Sequence, residues 1–227
     1  MSDWSQGPLH VTWLDGGVLV RHGHTGILLD APRGIADDAS HWLGSVHAMA
    51  VSSGRMASVR GLLALLEAVS LTRDPHTAFT VLGPADDQRI PELVDVWTRG
   101  WPNRNPVHVD GLLPGDTAEV GGLPIEYVAT ERGEPTRSSV QSARGYAVRV
   151  HTPTGMVAWV PAAAPGPAVR RACRGALLAI VEVGIRPWPT TDRAWRMTRS
   201  QAIDLASDAD TVWLVGDDGQ RLDIAAN

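Results

Sequence analysis

His22 and His24, in the stretch Arg21-His22-Gly23-His24-Thr25-Gly26, form an H-x-H pair. Two imidazoles at this spacing are a fragment of a metal site. No acidic residue follows nearby, and the glycines around the pair mark a hairpin turn, so it reads as a solvated turn. His41, His47, His76, His108 and His151 are scattered without ligand spacing. Ser53 and Ser58 carry nucleophilic hydroxyls, but there is no G-x-S-x-G elbow and no assigned base beside them. Capping of a helix is the better role for such serines. Cys173 stands between Arg171 and Arg174. Neighbouring cations would lower its thiol pKa, while the helical pattern turns it to the core. Arg55, Arg60, Arg132 and Arg196 supply guanidinium groups that hold a phosphate or carboxylate in bidentate fashion. The competing reading pairs them with Glu131, Asp217 or Asp218. Glu131 or Asp217 would serve as an acid/base if tuned towards the working pH. Trp188 and Trp195 lie in a Pro/Trp-rich loop, where they either stack on a ligand or fill core. Nine Trp against one Phe favours packing for some of them.

The elements that must position these residues follow from periodicity. Residues 9–14 alternate as a strand, and residues 17–20 and 27–30 flank the His22–His24 turn. Residues 46–51 form a strand that runs through Ser53-Gly54 into a helix. There Met56, Val59, Leu62, Leu63, Leu66 and Val69 recur at 3-to-4 spacing, with Ser52 or Ser53 as the cap. Strands are expected at 77–82, 106–109, 117–120, 125–129, 145–151, 156–160, 177–183 and 212–215. Helices are expected at 91–97, 167–173 and 200–206, the last capped near Thr198. No fixed-period repeat, low-complexity tract or linker stands out.

The chain has 227 residues, 44% of them hydrophobic, enough for one large α/β domain over 1–227 with a full core. No apolar run reaches the roughly 20 residues of a membrane span. The N-terminus has no secretion signal, and the lone cysteine forms no internal disulfide, so the expected location is cytoplasmic. All 20 basic residues are arginine, and the net charge is −5. A general nucleic-acid binder carries a basic excess, so nucleic acid is not the expected partner.

Several segments in order resemble the metallo-β-lactamase superfamily, nearest its ribonuclease Z and phosphodiesterase-like branch. Gly26-Ile27-Leu28-Leu29-Asp30-Ala31-Pro32 is similar to its early strand ending in Asp. Val51-Ser52-Ser53-Gly54-Arg55-Met56-Ala57-Ser58-Val59-Arg60-Gly61-Leu62 occupies the place of its H-x-H-x-D-H turn and helix. Val81-Leu82-Gly83-Pro84 resembles its V-x-G-P strand end. Leu113-Pro114-Gly115-Asp116 with Val120-Gly121-Gly122-Leu123 resembles its P-G-D hairpin. Gly155-Met156-Val157-Ala158-Trp159, Ile180-Val181-Glu182-Val183-Gly184 and Trp213-Leu214-Val215 are similar to its later strands.

The resemblance implies a four-layer αββα sandwich. It also locates the positions that hold two metals in the family, and these read Ser53, Arg55, Ala57, Ser58, Arg132, Ala162 and Gly216. Hydroxyl, methyl and guanidinium groups are poor replacements for His and Asp. Neither a metal nor another cofactor is expected. Asp30 and Glu182 stand where the family keeps acids that orient neighbours. The resemblance places Arg55 and Arg132 on loops around the former cleft, with Arg196, Trp188 and Trp195 near its mouth. The expected function is a binding or scaffolding subunit, a homodimer or the partner of an active homologue, with a cleft for a small anion. The alternative is a metal-independent or mononuclear hydrolase, lyase or isomerase built on Arg55, Arg132, Glu131 and Asp217.

Overall fold

In the computed structural model the described residues are 2–14, 16–31, 34–35, 41–74, 76–101, 104–135, 140–184, 196–216 and 221–226. They form two compact units, residues 1–113 with 118–123 and residues 114–117 with 124–227.

The first sheet has seven strands in sequence order: β1 (Ser2–Gln6), β2 (Leu9–Trp13), β3 (Val18–His22), β4 (Thr25–Leu29), β5 (Val46–Ala50), β6 (Phe79–Pro84) and β7 (Val107–Leu112). Strands β1 to β4 are antiparallel, and β4 to β7 run parallel. Parallel neighbours need crossovers. Helices α1 (Met56–Val59) and α2 (Leu62–Thr72) join β5 to β6, and α3 (Arg89–Gly100) joins β6 to β7. Leu19, Leu28, Met49, Val81 and Val109 stand in one cross-strand row. The core packs the first four, buried, with Leu62, Leu65, Leu66 and Val69 of α2 and Val94 and Trp97 of α3.

The long helix expected from Met56 to Val69 is broken after Val59, at Arg60-Gly61. Val59, Leu62, Leu66 and Val69 are buried as the expected face requires. Leu65 is fully buried, while Met56 is 60% exposed and Leu63 36% exposed.

The second sheet runs β8 (Thr117–Val120), β9 (Leu123–Pro135), β10 (Val140–Thr152), β11 (Gly155–Val160), β12 (Ala176–Val183), β13 (Thr211–Gly216) and β14 (Arg221–Ala226). Here β9, β10 and β11 are antiparallel, β11 to β13 are parallel, and β14 returns antiparallel. Helix α4 (Pro167–Cys173) links β11 to β12, and α5 (Arg199–Leu205) precedes β13. Thr198 caps α5 as expected. Its hydroxyl accepts from the Gln201 amide at 3.3 Å, and the Gln201 side chain accepts from the Thr198 amide at 2.9 Å. The helix-side core is rich in alanine, with Ala147, Ala158, Ala172, Ala179 and Ala202 all fully buried. Small side chains let α4 and α5 lie close to the strands.

Each sheet thus follows one plan: three antiparallel strands (β2–β4, β9–β11), then two parallel ones (β5–β6, β12–β13). Among the described residues no helix is long and apolar enough to cross a membrane.

Candidate functional site

In the first unit, β4 is followed directly by Asp30, whose backbone is left-handed at φ +60°. Its side chain turns onto the loop that follows β5. One carboxylate oxygen accepts the Ser52 amide at 2.7 Å, and the other accepts the Ser52 hydroxyl at 2.8 Å. The Ser52 and Ser58 hydroxyls are 3.1 Å apart, and Ser53 Oγ donates to Ser58 Oγ at 3.3 Å. All four residues are buried. Two backbone bonds reinforce the junction: the Ala31 amide donates to the Ser58 carbonyl at 2.7 Å, and the Gly61 amide to the Ala31 carbonyl at 2.8 Å.

Ser52 and Ser53 therefore do not cap a helix. The N-cap of α1 is Arg55, with no side-chain cap. The hydroxyls are spent on Asp30 and Ser58 instead, a stronger use because one acceptor is a carboxylate.

The same loop is held from the turn that leads into α3. The Gly54 amide donates to Asp87 Oδ2 at 2.7 Å, and Arg89 donates to both Asp87 oxygens at 2.7 and 2.6 Å. Burial pushes the Asp87 carboxyl pKa up. The Arg89 side chain and the Gly54 amide outweigh it and hold the pKa below the usual carboxylate range. Gly54 fits because it lacks a Cβ, which would come within 2.6 Å of Arg89 Cβ and of Asp87 Oδ1. Sequence reasoning missed Asp87. The signal was an acid at the start of a helix, in Asp87-Gln88-Arg89.

The four first-cluster positions separate by environment. Ser53 and Ser58 meet inside, Arg55 is half-buried, and Ala57 is exposed on α1. Arg60 is also exposed. His22 ends β3 and pairs with Thr25, and Gly23, at φ +60°, and His24 form the two-residue hairpin turn.

In the second unit, Arg132 lies within β9 rather than on a loop. The β9–β10 ladder continues from Ile125–Val150 out to Pro135–Val140, and Arg132 pairs with Ala143. The sequence expectation stopped this strand at 129 because the residues beyond it are polar. Arg132 is 8% exposed, and its stem runs beside Gly145, where a Cβ would sit 3.4 Å from Arg132 Cδ. Glu131 is exposed on the opposite strand face, as alternation requires, and its carbonyl accepts the Ala164 amide at 2.6 Å. Ala162, just past β11, has φ +30°. That conformation is rare for a residue with a Cβ. Gly216 is buried at the end of β13.

Arg196 lies 3.3 Å from Glu182 Oε1 of β12, and the Gly184 amide donates to the Met197 carbonyl at 3.1 Å. Cys173 is buried in α4, and burial pushes its thiol pKa up to about 12. Trp188, Trp195, Asp217 and Asp218 lie outside the described residues. Among those described, no three His, Cys, Asp or Glu residues group as a metal site would require.

No protein-family model matches the chain, and no curated sequence matches it. Solved structures do. YhfI from Bacillus subtilis, a metallo-β-lactamase fold protein, aligns with a TM-score of 0.69 and 15% identity over 87% of this chain and 76% of that one. Human tRNase Z, short form, aligns at 0.65 and 14% identity over 87% and 83%. Zn2+-bound PqqB from Methylobacterium extorquens aligns at 0.62 and 16% identity over 88% and 71%. The α/β metallo-β-lactamase fold expected from the sequence is the fold of this chain.

Proposed function

We propose that this metallo-β-lactamase-fold chain lacks the dinuclear metal site and acts as a binding or scaffolding subunit. It would pair with itself or with an active homologue and offer arginines to a small anion. The observation that carries the reading is the Ser53–Ser58 contact. At two positions where the resemblance calls for metal ligands, neutral hydroxyls bond each other. The remaining positions bring guanidinium, methyl or no side chain, from Arg55, Arg132, Ala57, Ala162 and Gly216. Zinc takes thiolate, imidazole or carboxylate donors, and a permanently protonated guanidinium repels it. These residues do not fit the two metals that the fold family implies.

Arg55 and Arg132 are the anion-binding candidates from the former ligand positions, and Arg196 lies beside Glu182. The enzyme alternative that couples Arg132 with Glu131 has poor geometry, because neighbours on a strand face opposite ways.

Metal analysis of protein expressed with added zinc and iron and then purified by gel filtration tests the proposal. The expected result is far less than one ion per chain. A stoichiometric transition metal, or phosphoester, ester or lactone turnover that Arg55→Ala abolishes, overturns it.

A further inference from the structure

We propose that Asp30, Ser52, Ser58 and Ser53 form a directed hydrogen-bond clasp that closes the β5–α1 loop without a metal. The inference rests on the reading of the site as metal-free and says what holds the loop instead.

The direction of each bond follows from counting protons. Ser52 donates both its amide and its hydroxyl proton to Asp30, so toward Ser58 its oxygen only accepts. Ser58 must therefore donate to Ser52 across the 3.1 Å contact. That leaves Ser58 an acceptor for Ser53, as the 3.3 Å bond requires. The hydroxyl protons run Ser53 to Ser58 to Ser52 to Asp30 and end on a carboxylate. A buried chain with one polarity strengthens each of its members. Every serine proton is used, so a cation seated on Ser53 or Ser58 would have to break the run. The left-handed backbone of Asp30 is a conformation that surrounding structure must over-determine. The two Ser52 bonds, together with the backbone bonds joining Ala31 to Ser58 and Gly61 to Ala31, do that.

Such a clasp is indifferent to chelators and sensitive to the loss of one hydroxyl. Native-state hydrogen exchange at the Ala31, Ser52 and Gly61 amides reads it directly. In Ser58→Ala, which cuts the run in the middle, these amides should exchange on the order of tenfold faster. Ser53→Ala removes only the first donor, so its effect should be smaller, about two- to fivefold. The double variant should be no faster than Ser58→Ala alone, since the two hydroxyls act in series. Wild-type exchange should not change after EDTA.

Unchanged exchange in Ser58→Ala, or additive effects in the double variant, overturns the clasp. Should Ser58→Ala fail to fold, Ser53→Ala decides alone, and unchanged exchange there is fatal. Metal content measured on the same samples separates the two proposals. Metal-free protein whose exchange ignores Ser58→Ala sinks the clasp only. Protein whose exchange quickens when EDTA strips a bound ion sinks both.

Discussion

Asp87 shows how much one side chain settles at this loop. It receives the Gly54 amide and both donors of Arg89, and its pKa is lowered. A depressed folded pKa contributes stability that is fully present above the unfolded value of about 4, and that is lost as pH falls through the folded value. Asp87→Asn should thus cost about 1–3 kcal/mol at neutral pH, much of it from the Gly54 bond because Arg89 is open to solvent. In urea titrations across pH, the gap between variant and wild type should close as pH falls through the lowered folded value. A gap that persists there means the carboxylate charge is not what stabilises the loop. Cys173 behaves in the opposite sense. Burial pushes its pKa up to about 12, so an aromatic disulfide reagent at pH 8 should label it only after denaturation. Prompt labelling of native protein would show that the flanking arginines, and not the core, govern the thiol. Residue types were legible in the sequence; these environments were not. Ser52 and Ser53 suit a helix cap in composition, and only the long-range approach of Asp30 shows where their hydroxyls go.

At the scale of elements, the legible parts were those with a single periodic phase. Helix α4 and the capped start of α5 fall where their patterns put them. In α2 the run Leu62-Leu63-Ala64-Leu65-Leu66 places apolar residues all round, so periodicity could not choose the buried face. The choice is testable with two neighbouring leucines. Leu65→Ala should lose about 2–5 kcal/mol in chemical denaturation, and Leu63→Ala about 0.5 kcal/mol or less. Equal losses would return the buried face to the one the sequence suggested. Strands β1 and β14 escaped notice for a different reason. β1, Ser2-Asp3-Trp4-Ser5-Gln6, has a single apolar residue, and β14 is only six residues at the end of the chain. The far part of the β9–β10 ladder is polar, and the family resemblance, not periodicity, was what put Arg132 on a loop.

At the scale of the molecule, the two sheets share a wiring plan that no sequence period announces. Strand pairing asks for apolar alternation and turns, and many sequences satisfy both, so the plan persists while side chains diverge. The same freedom separates fold from function here. A likeness to human tRNase Z at 14% identity carries the backbone and says nothing about an RNA substrate, whereas charge does bear on it. Each phosphate neutralised by a basic side chain releases counterions, and this term supplies nearly all non-specific affinity. The chain carries 20 basic against 25 acidic residues. Among the described residues, Arg89, Arg149, Arg170 and Arg196 face carboxylates of their own at 2.6, 3.0, 3.0 and 3.3 Å. In filter-binding at about 0.15 M salt, transfer RNA should bind no tighter than the weak end of the non-specific range, a Kd of about 10⁻⁴ M. Micromolar binding that falls steeply as salt rises would reveal a basic face that the net charge conceals. It would also redirect the search for this protein's ligand from small anions to polynucleotides.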